Sequence, residues 1–285
     1  MHAFIFMGRP QIVGALRLPS ALALAELRAR AWWHNLFGPR GAIGEGPTPP
    51  ETLDLSAYTP GALATMLGNG RDAANPDVVP VGDCVVAADL HLAAARSSAA
   101  GQPWTPTTEQ ALTTYSAVTG YVRGDAATDQ GTDPLALLAW RVAGNTYPDG
   151  SALLEGLLVD AADRTRLQQG IWLPSGAMAW ASLPDEWESE EDAGDVWDVA
   201  GDPNPDSGHG FGLVGYDAVG PIVSTWGELV HMTWAAAAKY LLTTAGGGVL
   251  APLDSDALSR VTGLCPAGYD LARLQAYLEM IGRRT

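Results

Sequence analysis

A mixed α+β architecture follows from three features of the chain. Helical periodicity dominates residues 61–183, strand patterning returns over 207–250, and the two patterns largely follow one another rather than alternate. A cysteine, Cys84, opens the first long helical run, and a histidine, His209, opens the first late strand. With 47% hydrophobic residues in 285, the chain can bury a sizeable core.

Residues 1–60 read as an N-terminal arm and linker. Within them 20–33 is helical, with Ser20 as N-cap and Gly38-Pro39 beyond its end, and 44–50 is a stiff Gly/Pro linker. The first 40 residues hold five arginines and one acid, a net +4 against −20 for the rest of a chain whose total is −16. Such an arm could dock on an acidic surface, of a partner in an assembly or of its own body; an ordinary peripheral helix and strand is the equal alternative. Residues 61–285 form the main domain.

Helices are predicted over 84–98, over 107–120 with polar capping and Gly120 as stop, and over 133–144 with Asp133 as N-cap and Pro134 in the first turn. A shorter one covers 160–170, and 171–174 and 177–181 read as short strands. Residues 184–206 are an acidic insertion holding ten acids and no base, interleaved with Trp187 and Trp197. It is read as a solvated insertion anchored by two tryptophans, or as a flap selecting cationic or polar substrates. Its spacing does not match an EF-hand loop. Strands follow from 207 to 226, with Gly210, Gly212 and Gly215 letting the backbone pass close to its neighbours, and 233–242 is a helix.

The chemistry rests on residue types in context. A thiol at a helix start faces unsatisfied N–H groups and the positive end of the macrodipole, which favour the thiolate. Cys84 is then the nucleophile and His209 the general acid–base. The oxyanion donors would be the backbone N–H of Cys84 and an upstream carboxamide, Asn69 or Asn75. Ser224 is the candidate to orient the imidazole, and Trp226 to shield it from water. His91 is expected in the core, and His231 has no obvious partner. With only two cysteines, both are expected reduced and Cys265 structural.

Other classes are excluded by pattern. No CxxC or HExxH spacing supports a zinc site, no phosphate-binding glycine loop appears, and no cofactor is expected. The negative charge argues against nucleic-acid binding, and no window is apolar for long enough to span a membrane. Interrupted by Arg9, Pro10, Arg17 and Pro19, the N-terminus does not read as a signal peptide. A soluble protein, cytoplasmic or virion-associated, is expected.

Several segments together resemble the papain-like cysteine peptidase superfamily, more loosely its C39-like branch, and in particular uncharacterised bacterial and phage proteins of that fold. They are Gly82-Asp83-Cys84 with its Ala-rich helix, the run from Tyr115 to Tyr121, and Asp129-Gln130-Gly131-Thr132-Asp133 before a Leu-rich helix. Gly208-His209 with Val214-Gly215-Tyr216-Asp217, and Thr225-Trp226-Gly227 with Met232-Thr233-Trp234, complete the set, which covers roughly 65–250. The resemblance implies a helical half carrying Cys84 packed on an antiparallel sheet half carrying His209. It also implies a thiol hydrolase cleaving peptide or isopeptide bonds, in a phage or cell-wall context with a peptidoglycan-like substrate. Two positions depart from the family. The polar residue six before the cysteine is Val78 here, unless an insertion has displaced Asn69 or Asn75, and the usual Asn or Asp before Ser-Trp-Gly is Ser224. Those departures suit the alternative, a catalytically inactive structural or adaptor protein of a virion or other assembly.

Overall fold

The computed structural model describes residues 46–70, 79–148, 150–188 and 196–281, with the backbone of two strands near the N-terminus. Those strands, β1 (His2–Phe6) and β2 (Arg9–Val13), pair antiparallel as a separate ribbon. The helix expected at 20–33 lies outside the described residues. The chain continues through β3 (Leu53–Asp54), α1 (Pro60–Leu63), α2 (Cys84–Ala99), α3 (Thr108–Thr119), α4 (Pro134–Val142), β4 (Leu153–Leu158) and α5 (Arg164–Trp172). Then come β5 (Ala177–Ser182), β6 (Gly208–Tyr216), β7 (Pro221–Thr225), β8 (Glu228–His231), α6 (Trp234–Tyr240), β9 (Gly248–Asp254) and α7 (Leu271–Ile281).

The fold is α+β, with the Cys84 helix packed on an antiparallel sheet that carries His209. Six strands run in the order β4-β9-β5-β6-β7-β8, β3 adds a seventh against β6, and every pairing is antiparallel. Both faces of the sheet are covered. Met178, Trp180, Val214 and Leu250 face a core built from α2, α3 and α4. Ala177, Ala179, Phe211, Leu213, Val249 and Ala251 face a second core with α5, α6 and α7. Every residue of β5, β6 and β9 is therefore buried. Glycine and alanine among them let helices approach where larger side chains would hold them off.

Local signals set the helix ends. Thr107 and Gln110 close a reciprocal capping box on α3, and Gly120 ends it at φ 78°. Asp133 accepts from the Leu135 N–H at 2.7 Å, with Pro134 in the first turn. The strand expected at 171–174 is corrected: Ile171 and Trp172 form the last turn of α5, because Leu167 and Ile171 stack on one buried helical face. Strand β4 and helix α7 lie where no strand or helix is expected from the sequence, and β9 carries the strand pattern of 207–250 on to Asp254. Residues 46–58, assigned by composition to the arm and linker, pack on the body. Gln169 donates to the Pro47 carbonyl at 3.0 Å, the Tyr216 hydroxyl donates to the Pro50 carbonyl at 3.2 Å, and Leu53 pairs with Tyr216.

The acidic insertion is pinned at both ends. Trp187 and Trp197 are buried and stack with ring centroids 4.7 Å apart, and Trp187 donates to the Asp198 carbonyl. Lys239 donates to the carbonyls of Ala200 and Gly201 from below. Residues 189–195 between the tryptophans lie outside the described residues.

Candidate active site

The Gly82-Asp83-Cys84 step is shaped by Asp129. Its carboxylate accepts the Gly82 N–H at 3.0 Å and the Tyr115 hydroxyl at 2.6 Å, fixing the chain as it enters α2. Cys84 is the first residue of that helix, and its sulfur accepts the backbone N–H of Gly210 at 3.4 Å. The approach is close enough that a Cβ on Gly210 would stand 2.8 Å from Val85 Cγ2 and 3.2 Å from Val85 Cα. Glycine is therefore required at 210 for the strand to reach the sulfur.

Cys84, His209, Ser224, Trp226 and Asn69 all line one cavity, joined by Thr225, Met66, Ala87, Ala88, His91 and Gly210. It measures about 10 Å³, the space of roughly one water molecule. On one wall, Cys84, Ala87, Ala88 and His91 follow helical spacing along α2. Asn75, the other carboxamide considered, lies outside the described residues.

The imidazole is held from the far side. His209 Nε2 shares a 2.7 Å hydrogen bond with Thr225 Oγ1, and the ring stacks on Trp226 at 4.0 Å between centroids. Trp226 sits in the left-handed region at φ 47°, uncommon for so large a residue, and is buried over the ring. Among the described residues Nδ1 makes no hydrogen bond, to the Cys84 sulfur or to any other group. The reason is topological. Cys84 belongs to the core on the α2 side, whereas the ring neighbours Phe211 and Trp226 belong to the opposite core. Sulfur and imidazole thus meet only at the end of β6.

Ser224 does not orient the ring. Its hydroxyl is buried on the cavity wall and makes no hydrogen bond, while Thr225 holds Nε2 instead. Ser224 is paired across the sheet with Gly212, on the α2 face, and the next residue must point the other way, with His209 and Phe211. Strand alternation was the available signal for Thr225. Asn69 is placed at the site by a turn with Leu67 at φ 50° and Gly68 at φ 104°, its amide donating to the Val81 carbonyl at 3.2 Å. His91 is buried as expected but also lines the cavity, with Nε2 3.2 Å from Thr65 Oγ1. His231 has a partner after all, Asp217 Oδ2 at 3.0 Å.

Burial reverses the electrostatics expected of a helix-start thiol. Cys84 is 1% exposed, and desolvation pushes its thiol up to about 12, against the smaller lowering effect of the Gly210 N–H. Desolvation likewise lowers His209 to about 3 and His91 to about 4. In this closed form thiol and imidazole are both neutral at pH 7. Among the described residues, no three His, Cys, Asp or Glu side chains gather as a metal site, and no helix is long and apolar enough to cross a membrane.

No protein-family model matches the chain, and no curated protein matches it. Among solved structures it is similar to the bromelain protease from Ananas comosus in complex with the E64 inhibitor. The identity is 13%, the TM-score 0.46, and the match covers 71% of this chain and 98% of that one.

Proposed function

We propose that this protein is a papain-like thiol hydrolase of peptide or isopeptide bonds, acting through Cys84 and His209. The observation that carries the reading is the shared cavity. A helix-start sulfur and an imidazole line it together, one ring nitrogen tied to Thr225 and the other left without a hydrogen bond among the described residues. With Nε2–H donating to Thr225, Nδ1 carries the lone pair a general base needs. Nδ1 takes the thiol proton as the sulfur attacks the substrate carbonyl. The oxyanion is met by the Cys84 backbone N–H and the Asn69 carboxamide. Collapse expels the amine, which receives the proton from His209, and leaves a thioester. Water, deprotonated by the same imidazole, then releases the acid and restores the thiol. Trp226 keeps bulk water from the Nε2–Thr225 bond. Cross-linked peptides of a cell wall, met in a bacterial or phage setting, are the substrates to test first.

The rival reading, a catalytically inactive structural or adaptor protein of a virion or other assembly, is favoured by one observation: the sulfur is sealed in a space of about one water molecule. Iodoacetamide labelling at pH 8, read at Cys84 by mass spectrometry against a free thiol at the same pH, separates the two. Labelling faster than a free thiol and lost in His209→Ala is expected of the hydrolase, together with cleavage of muropeptide cross-links that Cys84→Ala abolishes. A rate no faster than a free thiol, with no cleavage, would establish the inactive reading.

A further inference from the structure

A substrate cannot enter the cavity as it stands, so something must move. Ten of its eleven lining residues are buried; Met66 alone reaches partly to the surface. Met66 belongs to the segment 64–70, which joins α1 to the turn carrying Asn69. The other walls are the regular elements α2, β6 and β7 with the Trp226 turn. The segment rests on that turn, so that a Cβ on Gly227 would meet the Ala64 carbonyl at 2.9 Å. It is also bent sharply, with Leu67 and Gly68 both at positive φ; a non-glycine residue held there stores roughly 1 kcal/mol or more of strain.

What lies beneath this segment is unusual. The Asp83 carboxyl is fully buried, and among the described residues neither oxygen has a hydrogen-bond donor from any other residue. Gly68 is its roof: a Cβ there would stand 2.7 Å from Asp83 Oδ2. Asp83 occupies the N-cap position of α2, where an aspartate side chain normally accepts a helix N–H, yet it makes no such bond. Among the described residues the ionisable groups facing it are Asp129, Tyr115 on α3 and its neighbour Cys84; the segment 64–70 itself contributes none. Asp129 supplies a second carboxylate and no cation. An ionised Asp83 could not persist there, since a buried, unpaired carboxylate costs several kcal/mol.

We propose that the segment 64–68 is a lid over the Cys84–His209 cavity, hinged at Asn69, whose amide stays on the Val81 carbonyl, and that the Asp83 carboxyl is its latch, closed while protonated and released on ionisation. Burial and the Asp129 charge hold Asp83 well above the usual carboxylate range, so the closed form is the protonated one. Such a group stabilises the closed form at low pH and ceases to do so as pH rises through its raised value. On ionisation the carboxylate gains by lifting Gly68 away and turning to the N–H groups of the first turn of α2, where the macrodipole also favours it. The same movement withdraws Met66 and exposes the sulfur next door. Water at Cys84 then relieves the desolvation that is the largest cause of its raised pKa. The inference rests on the hydrolase reading, which gives the opening its use.

Hydrogen exchange tests it without reference to catalysis. Peptides covering 60–70 are followed by mass spectrometry between pH 5 and 8, with rates corrected for the intrinsic chemical dependence on pH. The wild type should exchange faster at the upper end, by about tenfold for each unit by which the pKa of Asp83 in the closed form lies above 5. Asp83→Asn, which cannot ionise, should be slow and flat across the range. Asp129→Asn, which removes the neighbouring charge but keeps an acceptor for Gly82 and Tyr115, should move the midpoint to lower pH. A flat wild-type profile, a wild-type profile in Asp83→Asn, or an unmoved midpoint in Asp129→Asn overturns the latch. A working lid on a protein that cleaves nothing would overturn the hydrolase reading alone, and a peptidase with a flat profile the latch alone.

Discussion

In the proposed reaction His209 is the side chain on which the chemistry turns, and its behaviour is set by what touches each nitrogen. Thr225 fixes Nε2 at 2.7 Å, whereas Ser224, one residue earlier, is turned to the other face of β7 and makes no hydrogen bond. The two substitutions should therefore separate. Thr225→Val removes the partner that sets the tautomer and should lower kcat by roughly tenfold or more, a part of the 10²–10⁴ that a well-placed acid–base supplies. Thr225→Ser should recover most of the loss, and Ser224→Ala should cost less than Thr225→Val. Steady-state rates on a peptide substrate with pH profiles for all three check this; equal losses at 224 and 225 would remove the assignment. Cys84, His209 and Trp226 could be read directly from the order of residue types along the chain. Thr225 could not, because the side-chain period of a strand is two and an error of one residue selects the wrong face.

Strand β6 and helix α2 meet through glycine. Gly210 brings its N–H to the Cys84 sulfur at 3.4 Å, and nothing larger fits against Val85. Gly210→Ala should push β6 from the start of α2 and cost about 1–3 kcal/mol, the usual range for overpacking. Urea denaturation measures the cost, and near-wild-type stability would show that the contact yields. Helix starts were legible because capping chemistry is local: Thr107, Asp133 and Thr233 each accept the backbone N–H expected of an N-cap. The end of α5 was not, since Ile171-Trp172-Leu173 is as apolar as a strand and only the burial of Leu167 and Ile171 on one face settles it as helix.

A buried ionic cluster ties the two sides of the molecule together. Arg141 meets Asp89 on α2 at 2.7 Å and Asp254 on β9 at 2.8 Å, and Arg96 meets Asp254 at 3.3 Å and Asp256 at 3.1 Å. Tyr147 donates to Asp89 at 2.7 Å and lies beneath the Arg141 guanidinium. Burial and the charge of Asp254 push Asp256 well above the usual range, against the lowering charge of Arg96. The cluster holds the helix bearing Cys84 to β9, and β9 pairs with β5, the neighbour of the strand bearing His209. Asp254→Asn strips the shared partner from both guanidinium groups and should destabilise the fold by about 3–5 kcal/mol. A shift in the urea midpoint at unchanged slope reads it out, and a cost below about 1 kcal/mol would show that the arginines find other partners. The pairing of these residues is not legible in the sequence, because they stand up to about 160 positions apart.

Read alone, the sequence determined what repeats locally: where helices begin, that strands follow them, and which sulfur and which imidazole stand at the start of their elements. Those features depend on neighbours a few residues away, so their physics is carried in short stretches of chain. Burial, register and charge pairing depend on residues that only folding brings together. They account for a thiol at a helix start being neutral rather than activated, for Thr225 holding the ring in place of Ser224, and for Asp83 lying capped under Gly68.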